Sequence, residues 1–388
     1  MVSVQAFVRN DNGRKTVAEQ PTPKLTGSTV GHTIIHWIAN AAALNQLVAG
    51  LPTLLLLGVI VFCIALLSMG ADWMVNGVVH LAQRTGLPKI VIGATIVSLG
   101  TTMPEAFISV MAAVMGNPGL ALGNAVGSII ADTGLIFGLT CILATVPASH
   151  YILNRTGWVQ IGSAVLLTLI SVFALLTAAG GEPVLERWVG VLFLLLLAAY
   201  MVASYVWAGP NTYQKGMARY IERKKGPEQL MGLYRCWLCI IGGLTLVVGS
   251  ARVLVPSASQ IAWRVGVPED VIAATMVAFG TSLPELMTAL TAVRKGYPEI
   301  TVGNIIGADI LNILFVVGAA AAAHPLSIPL NFYYFHFPAM LIIVGSFRLF
   351  ITMNSDGTFK RWQGIWLLSL YLVYLITQFA LNIDVGLH

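Results

Sequence analysis

Long apolar runs separated by short polar segments make up most of the chain from about residue 50 onward. A helix needs about 20 apolar residues to cross the hydrocarbon core of a bilayer, whereas a membrane β-barrel shows stretches of about ten residues that alternate in polarity. The continuous runs therefore predict helices. Ten transmembrane spans are expected, near residues 50–70, 89–115, 119–145, 158–178, 187–207, 234–255, 270–293, 300–323, 331–352 and 361–381.

Polar segments divide the chain into four regions. Residues 1–48 are expected to form a polar tail and an interfacial helix ahead of the first span. The longest polar interruption, 208–233, separates the fifth span from the sixth and is expected to be a cytoplasmic loop. This leaves five spans in residues 49–207 and five in residues 234–388.

The composition excludes a soluble protein, because 57% of the residues are hydrophobic and 10% are charged, against about 25% charged in a typical soluble domain. The net charge of +5 does not indicate a nucleic-acid partner, because most Lys and Arg lie in short segments between apolar runs. Four scattered Cys are too few for a disulfide framework. The predicted fold class is an all-α polytopic membrane protein whose partner is the lipid bilayer.

The distribution of basic residues predicts the orientation in the membrane. If residues 208–233 are cytoplasmic, the cytoplasmic side holds 14 of the 21 Lys and Arg. Excess Lys and Arg stay in the cytoplasm, so both termini are expected on the extracytoplasmic side of the cell (inner) membrane.

An internal repeat is visible at an offset of 180 residues, where 19 of the 53 positions between Gly86 and Gly138 are identical in the second copy without a gap. Five spans per copy is an odd number, so the second copy must enter the bilayer from the opposite side. The ten helices are therefore predicted to form two inverted five-helix repeats. Secondary transporters are commonly built in this way, with their binding site near the midplane where the halves meet.

Four acidic residues lie well inside apolar runs, and all four belong to the repeated segments: Glu105, Asp132, Glu285 and Asp309. A carboxylate within the bilayer costs about 2.5–3.5 kcal/mol on insertion scales. No Lys or Arg in the sequence is deep enough in a run to pair with them. A bound cation or a proton is therefore the expected partner.

Proline precedes both glutamates, at Pro104 and Pro284. Proline lacks the backbone N–H and its ring clashes with the carbonyl four residues earlier, so each helix is expected to bend and to free carbonyl oxygens. Hydroxyl groups share the helix faces of the acids, as at Thr101 with Glu105, because residues four apart project together.

Oxygen ligands without nearby His or Cys are typical of sites for hard cations such as Ca²⁺ or Na⁺. Three ionised carboxylates, from Glu105, Asp132 and Glu285, would balance three Na⁺, or one Ca²⁺ and one proton. No cofactor is expected beyond these transported ions.

Small and amide residues in the same segments have a packing interpretation. Gly123 with Gly127, and Gly303 with Gly307, are patterns that allow close helix approach. Asn124 and Asn304 could form hydrogen bonds between helices.

The motifs GTTMPE at 100–105, GNAVGS at 123–128, GTSLPE at 280–285 and GNIIGADILN at 303–312 resemble the two α-repeats of the sodium/calcium exchanger family, within the cation/Ca²⁺ exchanger superfamily. The resemblance covers about residues 50–381 and includes the inverted ten-span arrangement. It implies a prokaryotic-type exchanger whose functional unit is one chain.

The resemblance also implies roles for individual residues. Ca²⁺ would be held by Glu105 and Glu285 with the carbonyl groups of Thr101 and Thr281. Na⁺ sites would use Thr102, Ser282, Ser128 and the backbone near Ser98 and Ala278. Asp132 and Asn312 complete the set by position, and Asp309 would either coordinate an ion directly or act from behind the ligands, including through a proton.

The sequence departs from the family pattern at two places. Prokaryotic members often carry Asn at the position of Asp132 and Asp at that of Asn312, so the two residues are exchanged here. Ala308 replaces a serine and removes one hydroxyl of the Na⁺ type.

The leading hypothesis is a secondary antiporter, not an enzyme, that exchanges Ca²⁺ for Na⁺ by alternating access. The lost hydroxyl at Ala308 and the additional carboxylate of Asp309 keep H⁺/Ca²⁺ exchange open as the alternative. A passive channel is a third transport hypothesis. From another class, the two intramembrane aspartates could serve an aspartyl protease, although that chemistry would not explain the duplicated Pro-Glu turns.

Overall fold

The computed structural model describes residues 7–9, 15–17, 44, 47–85, 87, 89–114, 116–147, 150–178, 181–207, 231–265, 282–354 and 357–380. The expected interfacial helix and the loop at 208–233 lie largely outside these residues. Two expected ligands, Ala278 and Thr281, also lie outside them.

Helices make up most of the described chain. In chain order they are α1 Thr53–Thr85, α2 Lys89–Thr101, α3 Met103–Val114, α4 Pro118–Leu143, α5 His150–Thr177, α6 Arg187–Trp207, α7 Leu233–Arg264, α8 Leu283–Arg294, α9 Pro298–Ala323, α10 Phe332–Met353 and α11 Arg361–Ala380. Short strands lie between them: β1 Phe7–Arg9, β2 Lys15–Val17, β3 Val146–Pro147, β4 Val184–Leu185, β5 Leu326–Ser327 and β6 Thr358–Phe359.

Within the described ranges, seven helices are long and apolar enough to cross a membrane, or eight if the bent pair α2 and α3 forms one span. The prediction of an all-α polytopic membrane protein is confirmed at this level. Two of the ten expected spans are not in that set. The expected span at 270–293 is described only from Ser282. The helix at the last expected position, α11, has 20 residues but is not among the helices counted above.

The two most buried spans are α9 and α4. In an apolar stretch of 18 residues in each helix, 83% and 72% of the residues are buried inside the protein. These helices contain the second half of each repeated segment. For comparison, 28% of the residues in such a stretch are buried in each of α1, α5 and α6. The polar residues of the repeats are therefore in the interior of the protein, away from lipid.

The turns between repeated helices have matching backbone structure. Gly116 and Gly296 both have positive φ, 82° and 78°, which only glycine adopts at little cost. The next residue in each copy, Asn117 or Tyr297, donates its N–H over 2.8 Å to the carbonyl of Ala112 or Ala292. The sequence repeat is thus also a repeat of local structure.

Two small antiparallel sheets connect the halves of the chain. Strand β3, which follows α4, pairs with β6, and strand β5, which follows α9, pairs with β4. Positions 146 and 326, where β3 and β5 begin, are 180 residues apart. Each half therefore contributes one strand to each sheet.

Glycines of α9 pack directly against α2. A Cβ atom on Gly303 would lie 2.1 Å from the carbonyl oxygen of Ile90, and one on Gly307 would lie 2.5 Å from that of Ala94. The close-packing prediction is confirmed for these two residues. At Gly127 a Cβ atom would meet no described atom within 4 Å, and because the part of the second copy that matches α2 lies outside the described residues, close packing of α4 stays a prediction.

Candidate ion-binding site

The helix that carries Glu105 is broken just before this residue. Helices α2 and α3 meet at an angle of 43°, and Thr102, between them, has φ −82° and ψ −6°. Pro104 has no N–H to donate to the carbonyl of Gly100, which explains the break. In the second copy, Ser282 has nearly the same backbone angles, φ −83° and ψ 7°, directly before α8. The expected bend is therefore present in the first copy. In the second copy the residues before Ser282 lie outside the described ranges, so the bend there stays a prediction.

All four intramembrane carboxylates are buried, each with 1% of its surface exposed. Glu105 and Glu285 lie in the first turns of α3 and α8, Asp132 lies in α4, and Asp309 lies in α9. The carboxylate of Glu105 interacts electrostatically with those of Glu285 and Asp132, and Asp132 interacts with Glu285 and Asp309. Acids that are far apart in the sequence are thus close in space.

The helix geometry changes where the aspartate and asparagine of the repeats lie. Asp132 belongs to a π-helical segment, Ala131–Phe137, and Asn312 begins the matching segment, Asn312–Val317. A third π-helical segment, Gly93–Val97, precedes Ser98 in α2. Such wider turns are frequent at functional sites, because they leave backbone groups with weaker hydrogen bonds and shift the direction of side chains. The apolar pattern of the sequence does not predict them.

Several buried oxygens near the acids have no hydrogen-bond partner in the described part of the chain. An oxygen without a partner costs about 1–3 kcal/mol in a protein interior, so a group of them marks a place where a ligand is bound. They are Glu105 Oε2, Glu285 Oε2, Asp132 Oδ1, Asn312 Oδ1 and Thr102 Oγ1, while Ser282 lies beside the carboxylate of Asp132.

The other expected ligands are buried beside these groups or satisfied within the helices. Thr101 Oγ1 donates to the carbonyl of Ser98 over 3.3 Å, and Ser98 Oγ donates to that of Thr95 over 3.4 Å. Ser128 has 1% of its surface exposed. A hydroxyl that donates its proton keeps its oxygen lone pairs, so Thr101 could offer an ion either its hydroxyl or its carbonyl oxygen, of which the family resemblance implies the carbonyl.

No three His, Cys, Asp or Glu side chains within the described ranges are close enough together to hold one metal ion. An ion at this site would therefore have at most two carboxylates among its direct ligands in this conformation. Hydroxyl, amide and carbonyl oxygens would complete its coordination, which suits a hard cation such as Na⁺ or Ca²⁺.

The two asparagines of the repeats form contacts between helices, as expected. Asn124 Nδ2 of α4 donates to the backbone carbonyl of Glu105 over 3.3 Å and to Ser109 Oγ over 3.0 Å. Asn304 Oδ1 of α9 accepts from Thr101 Oγ1 over 3.5 Å. Both contacts hold a glutamate-bearing segment against a buried helix.

Two residues near the acids were missed by the sequence analysis. Gln160 Nε2 of α5 donates to Asp309 Oδ2 over 2.5 Å, and Thr133 Oγ1 of α4 donates to the same oxygen. Gln160 is an amide inside the apolar run 158–178, and that feature could have indicated a buried polar contact. Nothing in the sequence indicated Asp309 as its partner.

Comparisons with known proteins connect this geometry to a family. A family model described as sodium/calcium exchanger protein matches residues 55–206 and 235–380. The chain is 29% identical over 349 residues to sodium/calcium exchanger MaX1 of Methanosarcina acetivorans, covering 84% of this chain and 97% of the relative. It is 32% identical over 337 residues to the inner membrane protein YrbG of Escherichia coli, covering 85% of this chain and 98% of the relative.

The fold also matches solved structures. Structures of the sodium-calcium exchanger NCX_Mj, from a study of extracellular ion exchange and binding-site occlusion with Na⁺ and Sr²⁺, superpose with a TM-score of 0.70. The sequence identity is 27%, and the match covers 84% of this chain and 99% of the solved one.

Proposed function

The chain belongs to the sodium/calcium exchanger family, and from that membership we propose that it is a secondary antiporter exchanging Ca²⁺ for Na⁺ across the membrane by alternating access. The observation that supports this most is the convergence of Glu105, Glu285 and Asp132, with unpartnered buried oxygens around them. Buried carboxylates without a basic partner are neutralised either by bound cations or by protons, and a site that can change its ions can serve exchange.

The proposed architecture has ten spans in two inverted repeats, residues 49–207 and 234–388, joined by the cytoplasmic loop 208–233. Both termini lie on the extracytoplasmic side of the inner membrane, and one chain is the functional unit. The matched turns, π-helical segments and exchanged strands support a structural duplication. The odd number of spans per copy supports the inversion.

Each ligand has a proposed role. Glu105 and Glu285, with the carbonyls of Thr101 and Thr281, hold Ca²⁺. Thr102, Ser282, Ser128 and the backbone at Ser98 and Ala278 serve Na⁺, while Asp132 and Asn312 complete the set. Three carboxylates then balance either three Na⁺ or one Ca²⁺ with one proton. No resident cofactor takes part, because the ions are the substrates.

The first experiment measures ⁴⁵Ca²⁺ uptake into proteoliposomes under an outward Na⁺ gradient. Glu105→Gln and Glu285→Gln should each abolish the uptake, because each removes one of the converging charges while keeping the size of the side chain. Glu182→Gln, an exposed residue between α5 and α6, is the matched control and should behave like the natural protein. Uptake retained in both site variants would contradict the proposed ligand set.

H⁺/Ca²⁺ exchange is the second candidate, and two observations favour it. Ala308 supplies no hydroxyl, and Asp309 adds a buried carboxylate that could accept a proton. Vesicles loaded with ⁴⁵Ca²⁺ and given either a Na⁺ gradient or a pH gradient distinguish the candidates. We expect the Na⁺ gradient to drive release. At three Na⁺ per Ca²⁺, one charge moves per cycle, which is worth about 2.3 kcal/mol per 100 mV, so release should also depend on membrane potential.

A further inference from the structure

Asp309 is the center of a buried polar cluster next to the proposed exchange site. Its carboxylate receives hydrogen bonds from Gln160 Nε2, over 2.5 Å, and from Thr133 Oγ1, and both donors reach the same oxygen, Oδ2. Gln160 Nε2 also lies 3.4 Å from Thr133 Oγ1. Three helices, α9, α5 and α4, therefore meet at this one carboxylate.

The acceptor oxygens of the cluster are not satisfied by the described residues. Asp309 Oδ1 and Gln160 Oε1 are both buried without a hydrogen-bond partner, in side chains with 1% and 0% of their surface exposed. The orientation of the amide is fixed, because only its NH₂ group can donate to a carboxylate. The contact from Nε2 to Asp309 Oδ2 therefore leaves Gln160 Oε1 and Asp309 Oδ1, on the two hydrogen-bonded groups, as oxygens open to a further ligand.

The cluster has no counterpart in the other repeat. The positions that match Asp309 and Thr133 at the 180-residue offset are Ile129 and Ile313. The cluster is therefore an addition to one half of the protein and does not follow from the duplicated ligand set.

We propose that Asp309, Gln160 and Thr133 form a separate subsite for one monovalent cation, coordinated by Asp309 Oδ1 and Gln160 Oε1. A single carboxylate is neutralised by one positive charge, whereas a divalent ion would leave a net charge in a low-dielectric interior. Oxygen donors alone favour a hard cation of the Na⁺ type. Thr133 and the amide NH₂ of Gln160 bond to Asp309 Oδ2 and so fix the position of Asp309 Oδ1.

The subsite would affect the exchange site through Asp132. This carboxylate interacts electrostatically with both Asp309 and Glu285. A cation at Asp309 removes the repulsion between Asp309 and Asp132, so it would favour the charged form of the exchange site. This role rests on the proposed function, whereas binding of the cation does not.

The test is equilibrium binding of ²²Na⁺ to the purified full-length protein, measured by scintillation proximity with and without saturating Ca²⁺. Ca²⁺ occupies the exchange site and displaces Na⁺ from it, but it should leave about one Na⁺ per chain at Asp309. We expect Asp309→Asn and Gln160→Met to lose this Ca²⁺-resistant Na⁺. Ser171→Ala is the control on the same helix as Gln160, because its hydroxyl bonds to Leu167 of its own helix, and it should retain the ion.

Complete displacement of Na⁺ by Ca²⁺ in the natural protein would overturn the subsite, and so would a Ca²⁺-resistant Na⁺ that survives in both variants. A protonated Asp309 would give the first of these results. Gln160→Met keeps the Asp309 carboxylate, so it provides an answer even if Asp309→Asn fails to fold. ⁴⁵Ca²⁺ flux is measured in parallel: flux without resistant Na⁺ overturns the subsite alone, whereas absence of Na⁺-driven flux overturns the proposed function.

Discussion

The charge of Asp132 interacts with those of three other buried carboxylates, Glu105, Glu285 and Asp309. The counterpart of Asp132 in the second repeat is the neutral Asn312, which begins the matching π-helical segment. The two repeats therefore present similar backbone geometry with unequal charge. At the scale of single residues, this inequality decides which position matters most for binding cations.

We expect Asp132→Asn to reduce Na⁺-driven ⁴⁵Ca²⁺ uptake by about tenfold or more, since contacts to charged groups are worth about 1.5–3 kcal/mol. Asn312→Ala should have a smaller effect, because it removes one neutral oxygen. Initial uptake rates in proteoliposomes measure both. The double variant Asp132→Asn with Asn312→Asp restores the number of carboxylates and should recover part of the activity. If Asn312→Ala is the more damaging single change, the assignment of roles to these residues is wrong.

The sequence made the four buried carboxylates and the two prolines visible, because each interrupts an apolar run. It could not reveal the bond from Gln160 to Asp309, since that contact depends on how α5 packs against α9. The unpartnered state of Glu105 Oε2 and Asn312 Oδ1 is likewise a property of the packed interior. The type of each residue can be read from the sequence, whereas whether a buried polar atom has a hydrogen-bond partner depends on tertiary packing.

At the scale of helices, the apolar runs predicted where the helices lie better than they predicted how long the helices are. The run at 50–70 corresponds to α1, which has 33 residues, about 50 Å at 1.5 Å per residue. Hydropathy reports the thickness of the bilayer, so it misses the polar turns by which a helix continues beyond the hydrocarbon. The π-helical segments were also missed, because a single widened turn leaves the apolar pattern on both sides intact.

Helix packing gives a prediction that compares equivalent glycines of the two repeats. Gly307→Ala should destabilise the protein by about 1–3 kcal/mol, the usual cost of overpacking, because the new methyl group would overlap the carbonyl of Ala94 and the hydroxyl of Ser98. Gly127→Ala should be neutral or slightly stabilising, since its methyl group meets open space.

Thermal unfolding in detergent, followed by size-exclusion chromatography or tryptophan fluorescence, measures both glycine variants. Because Gly307 and Gly127 have the same place in the repeat, an equal loss of stability in the two variants would contradict the packing of α9 on α2. Transport should also decrease in Gly307→Ala, because its methyl group would displace Ser98, an expected Na⁺ ligand.

At the scale of the whole molecule, helices α1 and α7 form a closely packed pair. Helices α1 and α7 share an apolar cluster that includes Leu67, Ala71, Val247 and Ala251. Gly70 and Gly243 bring their backbones together, since a Cβ atom on either would lie within 2.7 Å of the other's carbonyl oxygen. The largest core cluster draws its buried residues from α2 to α6 and α8 to α11, with none from α1 or α7 in the described ranges. A further apolar cluster packs Met74 of α1 and Ile240 of α7 against Ile92 of α2 and Ala292 of α8, so the pair also has buried contacts with the rest of the protein.

Ion pairs connect α1 to the C-terminal end of α8. Asp72 Oδ1 of α1 lies 2.8 Å from Arg294 Nη2 and 3.4 Å from Lys295 Nζ, at the end of α8. Lys295 Nζ also donates to Asn76 Oδ1 over 2.8 Å. If alternating access moves α1 past α8, these contacts must break in every cycle, and they stabilise the arrangement seen here.

Asp72→Asn should therefore speed Na⁺-driven ⁴⁵Ca²⁺ exchange while leaving the thermal stability nearly unchanged. Partly exposed pairs are worth about 0.2–1 kcal/mol each, so the expected acceleration is up to about fivefold for each pair that is lost. High salt screens such pairs, because the Debye length falls to about 3 Å at 1 M, so the natural protein should approach the rate of the variant in concentrated choline chloride. Ser250→Ala on α7, whose hydroxyl bonds within its own helix, is the control. An unchanged or slower rate for Asp72→Asn at low salt would mean that the contact between α1 and α8 does not limit the cycle, and that another pair of helices must separate for the site to change sides.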